Sequence, residues 1–178
     1  MKSKKSVVMV FRTLCFALML GSLFSFTAFS EENVVRVKTS GTWDYELAME
    51  VLELVNQNRA AQGSAALTMS YDLQKAAMER AAELAVFFSH TRPNGESDSY
   101  LGAPDYRWVM CNLGKGYGSP AAAVEGWMNS TGHRNNILYA GHDWVGAGCC
   151  QGTDGRYYWV IVYYREGGYY PDYPTPES

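Results

Sequence analysis

Two polar segments of this chain each carry one histidine, a side chain that can bind a metal ion or transfer a proton near neutral pH. His90 lies in segment 88–95 and His133 in segment 127–138, and both segments are rich in small and turn-forming residues. If the fold brings the two imidazoles together, they form one site, either as metal ligands or as an acid/base pair. The third histidine, His142, is predicted to be a solvated loop residue.

Three further polar side chains are candidates to line the same cleft: Asn112, Ser130 and Asn136. Ser130 precedes His133 by three residues and could contact the imidazole, but it also has the position of a helix N-cap, which we favour. Cys111 could act as a nucleophile with a histidine as its base. In an exported protein, however, a cysteine is more often half of a disulfide.

Four motifs follow one another along the chain: Leu52-x-x-x-Asn56-x-x-Arg59-x-x-x-Gly63, Leu73-x-x-x-Ala77-x-x-Arg80-Ala81-x-x-Leu84 leading into Phe88-Ser89-His90, Trp127-Met128-Asn129-Ser130-x-Gly132-His133-Arg134-x-Asn136-Ile137-Leu138, and Val145-Gly146-Ala147-Gly148. In these residues and their order the chain resembles the CAP superfamily (cysteine-rich secretory, antigen 5 and pathogenesis-related proteins), in its short bacterial, SCP-like form. The resemblance implies an α+β fold, an α-β-α sandwich with a small central antiparallel sheet flanked by helices.

The resemblance also implies a shallow cleft that holds two histidines, usually two acidic residues and, in some members, zinc or another divalent ion. His90 and His133 match the two histidines. Cys111 stands at the place of one family glutamate and Ser130 at the place of the other, so both carboxylates of the full set are missing.

Two imidazoles alone bind zinc weakly, because durable zinc sites use three or four protein ligands. Zinc remains the cofactor that the resemblance offers, and its ligands would be His90 and His133. Glu96 and Glu125 are the nearby residues that could supply a replacement carboxylate.

The N-terminus has the pattern of a secretory signal peptide, predicted to span residues 1–30. Four basic residues precede or enter an apolar run from Leu14 to Phe29, and Ala28 and Ser30 are small enough for a cleavage site. The alternative is an uncleaved membrane anchor. Cleavage would leave no membrane span and would place the protein outside the cell or in the cell envelope.

The signal segment contains four of the 15 basic residues and none of the 18 acidic ones, so the remaining chain has a net charge of −7 with histidine neutral. A domain this acidic, without a basic cluster, is a poor match for nucleic acid or an anionic membrane surface.

Three cysteines remain after the predicted cleavage: Cys111, Cys149 and Cys150. A bridge from Cys111 to either of the adjacent pair would close a loop of about 40 residues and stabilise the fold by ~3–4 kcal/mol in the chain-entropy model. Because the number is odd, one thiol is left free or pairs between chains.

Periodicity and capping signals predict where the elements lie. A flexible segment, 31–41, precedes a CAP/SCP domain over 42–166, and a Tyr/Pro-rich tail over 167–178 follows it. Within the domain we expect helices over 42–62, after Ser70, from Ser119-Pro120 to Asn129 and through 133–138, a strand over 108–113, and a hairpin of strands 144–150 and 157–164. Arg80 lies on the inner face of the second helix, where it could pair with a buried carboxylate.

These features leave three functional hypotheses. The first is a monomeric, non-catalytic binding module for an extracellular ligand, which could be a lipid, a peptide, cell-wall material or a protein. The second is a divalent-metal-dependent, peptidase-like hydrolase that uses His90 and His133. The third is a structural envelope or coat protein linked through disulfides. The sequence favours the first because the acidic residues of the cleft are missing, and it leaves enzymatic activity open.

Overall fold

The computed structural model describes residues 3–4, 41–101 and 109–166 of the 178-residue chain. The predictions for the tail 167–178 and for nearly all of segments 1–30 and 31–41 lie outside the described residues. None of the helices in the described part is both long and apolar enough to cross a membrane.

A six-stranded sheet forms the centre of the molecule. Its strands are β1 (Ser3–Lys4), β2 (Gly41–Trp43), β3 (Thr68–Met69), β4 (Val109–Lys115), β5 (Trp144–Gly152) and β6 (Tyr157–Tyr164). They lie in the order β1-β2-β5-β6-β4 with antiparallel pairing, and β3 runs parallel to β5 at the Trp144 end. The predicted hairpin is β5–β6, and Gly155 in its turn has a φ of 76°, which suits glycine.

Within the described ranges, four α-helices and one short 3₁₀-helix connect the strands. They are α1 (Tyr45–Ala61), α2 (Tyr71–Leu84), the 3₁₀-helix Asp98–Tyr100, α3 (Pro120–Met128) and α4 (Thr131–Leu138). α1 begins later than predicted because Asp44 caps it, with its side chain accepting a hydrogen bond from the Leu47 N–H at 3.2 Å. α3 begins as predicted, since the Ser119 hydroxyl caps it by accepting from the Ala122 N–H.

Side chains of β6 alternate between the two faces of the sheet and so define three layers. Trp159 and Ile161 pack with the apolar residues of α1, α3 and α4 on one face. Val160 and Val162 pack with those of α2 on the other. This arrangement confirms the α+β class and the α-β-α sandwich.

Two glycines of β5 let α2 lie directly against the sheet. A Cβ atom at Gly146 would overlap the backbone of Leu73, and one at Gly148 would overlap the backbone of Ala77. The alanine-rich inner face of α2 and these glycines therefore form one close backbone contact between helix and sheet.

The predicted disulfide is wrong for the described cysteines, all three of which are free and buried. Cys111 lies opposite Val162 of β6, whereas Cys150 lies opposite Tyr158. Four residues along a strand are about 13 Å, and β4 and β5 are also separated by β6, whereas a bridge needs Cα atoms within about 7 Å. Cys149 belongs to the opposite face of the sheet from the other two.

Candidate functional site

His90 is held by a loop that returns to it eight residues later. The Asp98 N–H donates to the His90 carbonyl at 2.9 Å, and the Asp98 carboxylate lies 2.9 Å from Nδ1 of the imidazole. Thr91 and Ser97 form a β-bridge that closes the loop between them. The His90 side chain is 62% exposed, while that of Asp98 is 4% exposed, so a buried carboxylate orients an exposed ring.

Asp98 belongs to a buried network of charged groups beneath His90. Arg80 lies 3.9 Å from Asp98 and 3.3 Å from Glu83, and Arg92 lies 2.7 Å from Glu83. Arg80 also donates to the Ser89 carbonyl, next to His90 in the chain. The expectation that Arg80 pairs with a buried carboxylate is confirmed, and it pairs with two.

The hydrogen bond to Asp98 raises the pKa of His90 above its usual value, against the opposing effect of burial; the charge of Asp98 adds to the increase and that of Arg80 reduces it. Because a carboxylate only accepts, Nδ1 carries the proton in this bond. The other nitrogen, Nε2, points away from Asp98. It is therefore the atom of His90 that a ligand can reach.

His133 is held in a different way, through the backbone of α4. Asn112 of β4, which is fully buried, donates from Nδ2 to the His133 carbonyl at 3.0 Å. Asn136, one turn along the helix, donates to Oδ1 of Asn112 at 2.8 Å. Asn112 thus lies beneath the site and fixes α4 rather than facing a ligand.

The C-terminal end of α4 is held by a buried arginine. Nη1 of Arg59 donates to the carbonyls of Ile137 at 2.6 Å and Tyr139 at 2.9 Å, and Nε donates to Ala65. These bonds satisfy carbonyls that a helix end leaves without intrahelical partners, and they place a cation at the negative end of the helix dipole.

His142 is not the solvated loop residue that the sequence predicted. It is 6% exposed, its ring stacks on Tyr163 at 4.8 Å between centroids, and its Nε2 lies 2.9 Å from the Asn136 carbonyl. Burial lowers its pKa to about 3, so it stays neutral at ordinary pH. A neutral ring suits this apolar position, and it supports α4 through the Asn136 carbonyl.

The charge of His90 acts on His133. Burial, and second the charge on His90, lowers the pKa of His133. Ser130 is the N-cap residue of α4 by position, although its hydroxyl makes no capping hydrogen bond. We call the accessible part of the site the histidine surface: His90, which is exposed, and Ser130, His133 and Asn136, which are partly buried.

Cys111 lies on the buried side of this surface, and its thiol donates to the Asp98 carbonyl at a distance of 3.6 Å. Burial, followed by the charge of Asp98, raises the pKa of the thiol well above its usual value. A nucleophilic cysteine needs a lowered pKa and access to its substrate, and Cys111 has neither. The hypothesis of Cys111 as a nucleophile therefore has no support.

The residues present do not fit a zinc site. Across the described ranges, no group of three or more histidine, cysteine, aspartate or glutamate side chains is arranged to hold a metal ion. Nδ1 of His90 is occupied by Asp98, which also faces Arg80. Glu96 contacts Arg92 and Asn94 rather than a histidine, and Glu125 is exposed on α3.

Sequence reasoning missed three residues that build the site: Asp98, Arg59 and His142. A weak signal existed for Arg59, which belongs to the first CAP motif. Asp98 and His142 carry no such signal, because each acts across a loop whose return path no periodicity reveals.

Comparison with known proteins agrees with this architecture. The chain is 32% identical to the Bacillus subtilis protein YkwD over 104 residues, which are 56% of this chain and 40% of that protein. It is 28% identical to the Bacillus subtilis membrane protein YlbC over 143 residues, 78% of this chain and 38% of that protein. The chain thus matches about two fifths of the length of either relative.

Among solved structures, an outer surface protein from Borrelia burgdorferi superposes with a TM-score of 0.61 at 20% identity, over 70% of this chain and 98% of that one. An extracellular SCP-domain protein from Bacillus anthracis gives a TM-score of 0.53 at 21% identity, over 67% of this chain and 40% of that one. These likenesses show the shared fold. The model of the cysteine-rich secretory protein family, CAP, matches residues 52–164, more than half of the chain, and the chain therefore belongs to that family.

Proposed function

We propose that this protein is an exported CAP module that binds a ligand outside the cell at the histidine surface and does not catalyse a reaction on it. The observation that supports the proposal is that two separate buried networks hold His90 and His133, whose side chains are exposed and partly buried respectively. The charge of His90 also acts on the pKa of His133. The fold buries charged and amide groups in order to hold these two residues in position. Such support of exposed side chains by buried polar groups is typical of a recognition site.

Export is supported by two independent features. The first is the basic and apolar N-terminal segment with its small residues near position 30. The second is the likeness to two solved structures, one of an outer surface protein and the other of an extracellular protein. We propose the cell exterior or envelope as the location, and a single chain as the working unit.

The absence of a suitable reactive group favours binding over catalysis. Cys111 is buried with a raised pKa, and within the described ranges no cluster of three or more metal-binding side chains is available. No hydrogen bond joins the Ser130 hydroxyl to the His133 ring among the described residues. A disulfide-linked coat is also disfavoured, because the thiols of Cys111, Cys149 and Cys150 are buried and unpaired.

Native mass spectrometry of the full chain, exported from its own host, tests the proposal. We expect cleavage near residue 30 and a bound mass that survives mild desolvation. Replacing both histidines, His90→Ala with His133→Ala, should remove that mass. Tyr71→Ala is the matched control, since Tyr71 is 78% exposed and belongs to α2 rather than to the histidine surface.

Retention of the chain inside the cell would contradict the proposed location. An identical bound mass in the wild type, the double variant and the control would contradict the proposed site. Turnover of a released product, lost in the double variant, would overturn the non-catalytic assignment.

A further inference from the structure

The buried network beneath His90 is electrically balanced without it. Arg80 and Arg92 supply two positive charges, and Glu83 and Asp98 supply two negative ones. Side-chain exposure is 0% for Arg80, 1% for Glu83, 4% for Asp98 and 14% for Arg92. Glu96, which is 61% exposed, adds one further negative charge next to Arg92. A proton added to His90 therefore places a positive charge on the mostly exposed ring rather than within the buried network.

The charged and titratable groups that act on His90 come from three elements. Asp98 of the 3₁₀-helix contacts Nδ1, Arg80 of α2 lies behind Asp98, and His133 of α4 interacts electrostatically with His90. Cys111 of β4 contacts the Asp98 backbone and is neutral. The Glu96 carboxylate, 61% exposed, contacts Arg92 and leaves His90 without a second anion.

We propose that Asp98 is a positioning residue that makes His90 the anion-binding group of the histidine surface, where it receives a carboxylate or phosphate group of the ligand. This inference rests on the proposed binding function and specifies the chemistry of its ligand. Asp98 occupies Nδ1, so Nε2–H of the imidazolium is directed at the ligand. A charge-assisted hydrogen bond from Nε2–H to an anionic oxygen is shorter and stronger than a neutral one.

The same geometry separates an anion site from a cation site. A metal ion at Nε2 would need further anionic or neutral ligands beside it, and the nearest carboxylate, Asp98, is already bound by His90 and faces Arg80. An anion needs only hydrogen-bond donors, such as Nε2–H of the imidazolium. The arrangement that fails for zinc is therefore suitable for an anionic oxygen.

NMR of the ¹⁵N-labelled full chain tests the inference in two steps. At high pH, the neutral ring of His90 should carry its proton on Nδ1 in the wild type, and Asp98→Asn should move much of it to Nε2. At pH 5.5, inorganic phosphate and acetate, used as separate probes, should shift the His90 resonances in a saturable way. Asp98→Asn should weaken that binding several-fold, and His90→Gln should abolish it.

Glu96→Gln is the matched control, because it removes a carboxylate of the same loop that does not contact His90. It should bind both probes as the wild type does. The relative response to phosphate and acetate decides which of the two groups the surface prefers. If Asp98→Asn does not fold, the position of the proton in the wild-type ring and the titration of the wild type still decide the matter.

Several outcomes would overturn the inference: a proton on Nε2 in the neutral wild-type ring, no saturable response to either anion, or equal anion binding by Asp98→Asn. Saturable zinc binding that shifts both histidines would overturn it as well. If the bound mass seen from the native host is lost in the double histidine variant while neither anion binds, the binding module stands and the anionic ligand fails. If that mass is absent too, the proposed function fails with it.

Discussion

The two histidines of the site stand on supports of opposite character. His90 rests on charges: Asp98 contacts its ring, and Arg80 and Glu83 lie behind Asp98. His133 rests on amides and backbone: Asn112 holds its carbonyl, and Asn136 holds Asn112. The first support sets the charge of its histidine, whereas the second sets only its position.

This difference leaves one buried carboxylate at the site, that of Asp98. Asp98, from the loop before β4, lies against the Cys111 side chain. The charged support thus depends on a loop, while the amide support joins β4 to α4. The charged support should be the more sensitive of the two to substitution.

The largest expected effect is on the charged support. Arg80→Met removes the cation between Glu83 and Asp98 and leaves two buried carboxylates near each other. Breaking a buried ion pair by removing one partner costs about 3–5 kcal/mol, so we expect a loss of that size in the free energy of unfolding measured with urea. Arg156→Met is the control: it breaks an exposed pair with Asp154, which solvent screens, and should cost far less. Equal losses in both variants would refute the distinction.

The amide support has one buried cation of its own, and its removal should cost less. Arg59→Met leaves the carbonyls of Ile137 and Tyr139 without their hydrogen-bond donor. It does not leave a buried negative charge without its partner. We expect a loss of about 2–3 kcal/mol, the cost of unsatisfied buried polar groups. In this variant, amide hydrogen exchange should accelerate more in α4 than in α2. Uniform acceleration across both helices would show that Arg59 does not act locally.

The stability of the fold should also depend on pH, through the buried His142 next to α4. His142 has a pKa of about 3 in the fold, well below the ordinary value of 6.5. Between these values the unfolded chain binds a proton that the folded chain excludes, so stability falls as the pH decreases below 6.5. From pH 7 to pH 5 this amounts to about 2 kcal/mol, at ~1.4 kcal/mol per pH unit.

His142→Gln should remove that component, so its stability should decrease by about 2 kcal/mol less than that of the wild type between pH 7 and pH 5. Denaturation curves at both pH values provide the comparison, and the carboxylates common to both proteins cancel in the difference. His90→Gln is the control with the opposite sign. Because Asp98 raises the pKa of His90, the stability that His90 adds is present below about pH 6.5 and is lost as the pH rises through its raised pKa.

The fold could be predicted from the sequence where local signals and periodicity agree. Ser119 with Pro120 predicted the start of α3, and the alternation over residues 157–164 predicted β6 with the bounds it has in the structure. The start of α1 was predicted three residues early, because strand pairing of Gly41–Trp43 with β5 is a long-range contact. The two histidines were found because each belongs to a motif.

The supports of the histidines could not be predicted, for a physical reason. Asp98 reaches His90 only because the loop folds back through the Thr91–Ser97 bridge, and Glu96 in the same loop seemed equally placed by spacing. His142 looked solvated because Asp143 follows it, yet Tyr163, from β6, covers its ring. Both depend on contacts between elements far apart in the chain, which a single sequence does not specify.

The smallest expected effect is that of Glu96, which is compared with Asp98 in the same loop. Glu96 is 61% exposed and contacts Arg92 at 3.5 Å, so Glu96→Gln should change stability by less than about 0.5 kcal/mol. It should also leave the pKa of His90 unchanged, since Asp98, not Glu96, raises it. Asp98→Asn in the same NMR titration should lower that pKa. A fall of equal size in the Glu96 variant would mean that the exposed carboxylate, and not the buried one, sets the charge of His90, and the contrast between the two supports would no longer hold.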